Sequence, residues 1–410
     1  MPYTPPKKIL EKYAKVLVNF ALGGCKGLKK GEVVYLIAYE YSKPLYAEVT
    51  KQILKTGGHV ISSYRPNSDH KFNFDRDFYI NAQNHQISFF PSKYLRGLID
   101  EIDHSIFIMS DTDMEALKGI DPKKIMARNV ALKPYMDWRN KKESEGRFTW
   151  TLGLYGTGAM AKEAGLTEKE YWGQIIKACF LDHKDPITKW KSIYKQIDDY
   201  RKKLNKLKID KVHVVGPDAD LWIKIGDKRV WNGGGGRNVP SFEIFTSPDW
   251  RGTNGWIKFN RPLYRYGNLI TGVELEFKDG AVVKSRAKKN EKILKEMIAS
   301  KNADKIGEFS LTDKRFSNIT KFMAETLYDE NVGGPEGNTH IALGNSYHDT
   351  YDGDPTRVSK KRWAQLGFND SAIHTDIVST SPRIVTAYLK NGTQTVIYKD
   401  GKFSLDIKDV

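Results

Sequence analysis

The chain has 410 residues, 40% hydrophobic and 28% charged, which fits a soluble globular protein too long for one ordinary core, so two domains are expected. Its 66 Lys plus Arg against 50 Asp plus Glu leave a formal net charge of +16. That excess would suit nucleic acid or a membrane surface, but the basic residues are dispersed, and the densest run, from Arg201 to Lys211, reads as the exposed face of a linker helix.

Cys25 and Cys179 are the only cysteines and lie far apart among apolar neighbours, so two buried thiols in a reducing compartment are expected in place of a disulfide. No apolar run approaches the length of a membrane span. Pro5 and Pro6 precede a stretch broken by Glu11, Lys12 and Lys15, unlike a signal peptide. The expectation is a cytoplasmic protein with neither nucleic acid nor membrane as partner.

In chain order, Ile9, Tyr13, Val16, Leu17 and Phe20 give residues 8–22 a helical stripe. The apolar run 32–38 predicts a strand, 45–56 a helix ended by Gly57-Gly58, and 59–64 the next strand. This is a βαβ unit and predicts a parallel sheet. The spacing then predicts a helix around 94–99, a strand at 104–109, short helical pieces at 113–116 and 122–128, and a strand at 150–155. Gly156 and Gly158 read as a tight turn before a helix. Thr167 with Glu170 forms a capping-box signature opening a helix to Phe180, and a long charged helix is expected from Trp190 to about Leu207.

From Val212 the pattern changes to strands, at 212–215, 221–225, and the pair 269–277 and 281–283 joined across Asp279-Gly280, a hairpin signal. A helix at 291–300, a strand at 305–311, a short helix at 320–327 and a terminal hairpin at 384–389 and 395–398 complete the reading. The fold class expected is α/β: an N-terminal α/β domain (1–205) with a mostly parallel sheet, then an α+β domain (206–410).

The functional signal lies in the second half. His374 and Asp376 are one residue apart, so on an extended segment both leave the same face and can grip one cation. Glu308 is flanked by apolar residues, where an unpaired carboxylate is costly. Glu243, Glu330 and His340 complete a set of carboxylates and imidazoles that would repel or protonate if brought together without positive compensation. Divalent ions supply that compensation, and oxygen with imidazole donors suits zinc, cobalt or manganese better than a thiolate structural site would. The alternative is a surface turn at 371–376 and a locally bonded His340. The glycine run 232–236 lacks the Gly-Lys-[Ser or Thr] ending of a nucleotide loop and reads as a flexible rim leading into Glu243.

Five motifs in order carry a family resemblance: Asn-x-Pro-x-x-Glu-Ile-Phe-Thr at 238–246, Ile306-Gly307-Glu308, Asp329-Glu330-Asn331, His340-Ile341-Ala342-Leu343-Gly344 with Tyr347 following, and His374-Thr375-Asp376. From Ile9 onward the chain resembles the thermophilic-type metalloaminopeptidases, the aminopeptidase T, S and II group. The resemblance implies a pair of metal ions held by Glu243, Glu308, Glu330, His340, His374 and Asp376, and Tyr347 in the catalytic centre; two-metal chemistry then calls for a bridging carboxylate, a role assigned to Glu308. The resemblance further implies a cytosolic homodimer that encloses its sites in a chamber and removes the first residue of peptides with a free N-terminus, through a water bridged by two divalent metals. Two departures stand out: the link from Val332 to Thr339 is longer than in the best-known members, and the region 155–158 lacks the expected proline. A binuclear metallohydrolase of another kind, such as an amidase, and a basic nucleic-acid-binding protein are the competing readings.

Overall fold

Each apolar run of the first part of the chain is separated from the next by a helical segment, and a crossover of that length forces parallel pairing. In the computed structural model, which describes residues 3–69 and 71–405, the strands His59–Arg65, Val33–Tyr39, His104–Met109, Thr149–Leu154 and Asn238–Val239 lie side by side in that order, all parallel. The last strand comes from far along the chain and pairs Asn238 with Leu152 and Val239 with Gly153. The first crossover helix, Lys43–Thr56, stops where Gly57 takes φ 86°, a left-handed conformation that glycine adopts without a Cβ penalty. The capping box of Thr167 and Glu170 is present at the start of the helix Glu168–Ala178.

Four expectations change. The helical piece expected at 113–116 is a run of turns. The short piece at 122–128 is the start of a long helix, Pro122–Ser144. Beyond Met126 its residues are mostly exposed or half-buried, so no apolar stripe marks it, and Pro134 sits inside it. The helix expected at 320–327 reduces to Thr326–Asp329, because the backbone N–H groups of Met323 and Glu325 donate to the Asp329 carboxylate and Ala324 takes φ 52°. The run 269–277 breaks at Gly272, φ 61°. Asn268–Ile270 pairs with Leu263–Arg265, while Glu274–Lys278 pairs with Ala281–Arg286 across Asp279-Gly280, both at positive φ as a tight hairpin turn requires.

The second part of the chain builds an antiparallel sheet in the order Ala281–Arg286, Glu274–Lys278, Asn254–Lys258, Ala219–Lys224, Ile209–Gly216, Ile384–Leu389, Gln394–Lys399, Lys402–Phe403. A smaller antiparallel sheet places His374–Ser379, Asn338–Gly344, Ile306–Thr312 and Glu243–Thr246 side by side. The fold is therefore mixed α/β, with a parallel sheet early and antiparallel sheets later.

The helix Pro186–Lys206 ties these parts together through Trp190, which is fully buried. Its ring stacks on Phe242 (centroids 5.3 Å, 18° between planes) and meets Phe180 edge-on at 4.9 Å, while its N–H donates to the Cys179 carbonyl (3.2 Å). Phe242 immediately precedes Glu243, so this aromatic stack fixes the entry to the small sheet. Trp190→Ala is expected to lower stability to chemical denaturation by about 3–5 kcal/mol, with Trp190→Phe recovering most of that loss.

Candidate metal centre

Side chains alternate across a strand, so register decides which residues share a face. In the small sheet Gly344 pairs with His374 and Ala342 with Asp376, Ala342 and His340 pair with Glu308 and Ser310, and Thr312 pairs with Glu243. One face therefore carries Glu243, Glu308, His340, His374 and Asp376. The other carries Ile244, Phe309, Leu311, Ile341, Leu343 and Ile377, all essentially without solvent contact. At the middle of the polar face Ala342, between Glu308 and Asp376, has too small a side chain to fill the space around which the longer ones converge.

Glu330 reaches the same space from the end of the short helix Thr326–Asp329. The Phe242 N–H donates to Asn331 Oδ1 (2.6 Å), joining the segment that carries Glu330 to the strand that carries Glu243. The link 332–339 is mostly buried and hydrogen-bonded to its surroundings. The Asn338 amide donates to the carbonyls of Glu330 and Val332, and the Gly333 N–H to that of Ile319, so exposure is confined to the tip around Pro335.

Oxygen and nitrogen atoms of these residues form three overlapping groups: Glu243, Glu308 and His340; Glu308, His374 and Asp376; and Glu330, His340 and Asp376. Within each group the ligand atoms lie within 4.8 Å of one another. Glu243, Glu308, Glu330 and His340 are buried. His340 Nε2 stands 3.2 Å from Glu243 and 3.4 Å from Glu308, and His374 Nε2 stands 3.4 Å from Asp376 and 3.6 Å from Glu308. All of them line a cavity of about 60 Å³.

The electrostatics follow from burial and crowding. Burial, with the charges of Glu243 and Asp376, pushes the Glu308 carboxyl up to about 7, and burial with Asp376 and Glu243 pushes Glu330 well above the carboxylate range. Burial disfavours the charged forms of both histidines. The carboxylates overcome it, raising His374 to about 9 through Asp376 and Glu308, and His340 well above its ordinary value through Glu243 and Glu308. Asp376 is held at about 2, its burial outweighed by the two histidines and Arg265. The Tyr347 phenol is pushed well up by burial and by Glu308 and Asp376, so it keeps its proton at neutral pH.

The donor set fits divalent cations. His374 Nδ1 lies 2.8 Å from the Asn345 carbonyl, which can only accept. That contact puts the proton of a neutral ring on Nδ1 and leaves the Nε2 lone pair facing the carboxylates, the arrangement a metal-binding imidazole needs. Glu243 accepts from Ser310 Oγ (2.7 Å) and Ser241 Oγ (3.4 Å), and Glu330 Oε1 accepts from Asn238 Nδ2 (3.2 Å). Neutral donors orient these acids without cancelling their charge.

Other residues complete the site, and of these only Asn238, which opens the first motif, was visible from the chain. Trp150 and Asn238 line the same cavity from the parallel sheet, as does Arg237 beside them. Arg237 is bonded to Glu143 (2.8 Å) and to Asp349 (2.7 Å). The rim preceding Arg237 is not loose. Gly236 sits at φ 75° directly against the Ala21 backbone, and Gly233 against the backbone of Glu243 and Ile244, where a Cβ could not fit. The density of glycines was the available signal, and it marks close approach, not flexibility.

Residues 6–403 match the family described as thermophilic metalloprotease (M29). Aminopeptidase PepS of Streptococcus thermophilus is 26% identical, covering 96% of this chain and 98% of its own. Aminopeptidase T of Thermus thermophilus is 28% identical over 72% of this chain and 75% of its own. The solved structure of wild-type AmpT from Thermus thermophilus superposes with a TM-score of 0.79 at 22% identity, covering 97% of this chain and all of that one, which establishes the common fold.

The raised pKa values set a pH dependence. A group raised on folding contributes stability that is present below its unfolded value and is lost as pH rises through its folded value. For His374 that window runs from about 6.5 to about 9, and for Glu308 from about 4.5 to about 7. In chelator, the melting temperature is expected to fall between pH 6.5 and 9, with His374→Gln flattening the upper part of the profile. Adding zinc or manganese should remove the slope, because bound ligands are already deprotonated. An equally steep fall in His374→Gln would contradict the assignment.

Proposed function

The chain belongs to the thermophilic metalloprotease (M29) family, and from that premise we propose that it is a metalloaminopeptidase, removing the first residue of peptides with a free N-terminus. The observation that carries this reading is the convergence of Glu243, Glu308, His340, His374 and Asp376 on one face of one antiparallel sheet, with Glu330 closing the space above it. The names of its relatives support the exopeptidase direction.

These six residues would hold two divalent ions, zinc, cobalt or manganese. Glu308, His340 and Asp376 each belong to two of the three donor groups, and Glu308 turns one carboxylate oxygen to His340 (3.4 Å) and the other to His374 (3.6 Å), which suits it to lie between two ions. When bound, such ions supply Lewis acidity, bringing water close to ionisation near neutral pH and polarising a carbonyl oxygen. The protein's own part is orientation. The Asn345 carbonyl fixes the His374 tautomer, Ser310 and Ser241 fix Glu243, and Asn238 fixes Glu330. Tyr347, with its ring 4.6 Å from that of His374 and 6.0 Å from that of Phe245, keeps a phenolic proton to donate to the oxygen that gains charge as the amide is attacked. We assign the catalytic half to residues 206–410, and the family likeness extends the reading to a cytoplasmic homodimer.

Chelation is expected to abolish hydrolysis of a leucyl substrate and re-addition of a divalent ion to restore it, with elemental analysis giving two ions per chain. Acetylating the substrate amine should abolish cleavage, and equal cleavage of the blocked peptide would replace this reading by an amidase. Tyr347→Phe should lower kcat about 100-fold with metal content unchanged. Wild-type turnover in that variant would remove the phenol from the mechanism.

A further inference from the structure

A recess of about 510 Å³ opens elsewhere on the molecule and shares no lining residue with the candidate metal centre. Its volume is in the range of small-molecule sites, roughly 300–1,000 Å³. Stretches far apart in sequence meet there: Lys208 follows the helix Pro186–Lys206, the loop 226–229 brings Lys228 and Arg229, the helix Lys360–Gln365 brings Arg362, and Lys390 follows the strand Ile384–Leu389. Seven of the lining residues are lysine or arginine and three are aspartate, so the fold gathers at this point positive charge that the sequence disperses.

Two of the three acids are already matched. Asp249 accepts from Arg251 at both oxygens (2.7 Å each) and faces Lys224 Nζ at 3.6 Å, and Asp227 faces Lys390 at 2.7 Å. Asp352 is exposed and makes no ion pair among the described residues. Asp249 and Asp227 are also the carboxylates that act on Arg229, and neither is within ion-pair distance of it. Lys208, Lys228 and Arg362 likewise have no carboxylate partner among the described residues.

Arg229 is the fixed charge of the recess. Its guanidinium donates to the carbonyls of Ser247 (2.6 Å), Asp227 (2.9 Å) and Leu366 (2.8 Å) and lies 3.5 Å from the Phe368 ring centroid. These neutral partners hold the group in place and leave its charge standing. Burial pushes its pKa down to about 10, so it stays protonated at neutral pH. A half-buried cation without a counter-ion is costly, and an anion placed nearby relieves that cost. Around it Lys208, Lys228 and Arg362 are exposed and can turn toward a ligand.

We propose that this recess binds a multivalent phosphate anion, an oligophosphate chain either free or carried by a nucleotide. Lys208, Lys228 and Arg362 contact its oxygens, and Arg229 acts through its charge from below. A lone carboxylate would neutralise only one of these cations, whereas an oligophosphate sets several negative charges along one short chain. The Arg362 fork suits phosphate oxygens, and the lysines serve as point charges beside it.

The test is equilibrium dialysis of the metal-loaded protein against radiolabelled tripolyphosphate and ATP at constant ionic strength, with bound metal measured before and after. Saturable binding of one equivalent per chain is expected, weakening as salt is added. The double variant Lys208→Ala with Arg362→Ala should bind about tenfold more weakly with no loss of melting temperature, and Arg362→Lys alone should keep most of the affinity. Equal affinity for the two probes would assign the site to the phosphate chain alone, and tighter ATP binding would assign it to a nucleotide; either supports the site. Phosphate also binds metal ions, so His374→Gln serves as the control: affinity kept in that variant and lowered in the double variant puts the anion in the recess. Affinity unchanged in the double variant, or no saturable binding of either probe, would overturn the proposal. Binding is read directly, so failure of the peptidase reading leaves this result untouched.

Discussion

Four carboxylates and two imidazoles share one enclosed space in this protein, and their mutual repulsion is the constraint around which the rest is arranged. Carboxylates taken out of water at this spacing cannot all stay ionised unless positive charge lies among them. The structure answers locally with raised Glu308, Glu330, His340 and His374 and a depressed Asp376. Protons do there what divalent ions do better, because an ion of charge two neutralises two acids from one position and orients them as well.

Register is what brings the groups together. The strands Glu243–Thr246, Ile306–Thr312, Asn338–Gly344 and His374–Ser379 each present an apolar face to the core and a polar face to the site. A slip of one residue in any pairing would turn its acid or imidazole into the hydrophobic interior. The same burial that stabilises Phe309, Leu311, Ile341 and Ile377 therefore holds the ligand geometry. Polar neighbours do the fine adjustment, Ser310 on Glu243 and Asn238 on Glu330 among them.

Much of this was legible in the chain. The alternation around His374 and Asp376 placed both on one strand face, the βαβ spacing gave the parallel sheet, and the motif order pointed to the family. Other features left no periodic trace. The helix Pro122–Ser144 is mostly solvated after Met126 and so lacks an apolar stripe. The stretch 320–325 has helical residues, but the N–H groups of Met323 and Glu325 go to the Asp329 carboxylate and that of Thr320 to Gln174, contacts no local pattern predicts. The roles of Arg237, Trp150 and Asp349 depend on which segments meet in space, and sequence spacing does not carry that information.

The chain passes from the parallel sheet at Asn238–Val239 into the small antiparallel sheet at Glu243–Thr246 with only Pro240, Ser241 and Phe242 between. One of those three is a proline with a fixed φ, and another is clamped beneath Trp190 and hydrogen-bonded to Asn331. There is almost no slack in that tether. Any swivel of one sheet against the other must displace the Glu243 carboxylate, so the two parts of the chain cannot open like jaws while the centre stays assembled, and mechanical looseness between them would be felt first as a loss of grip on the ions.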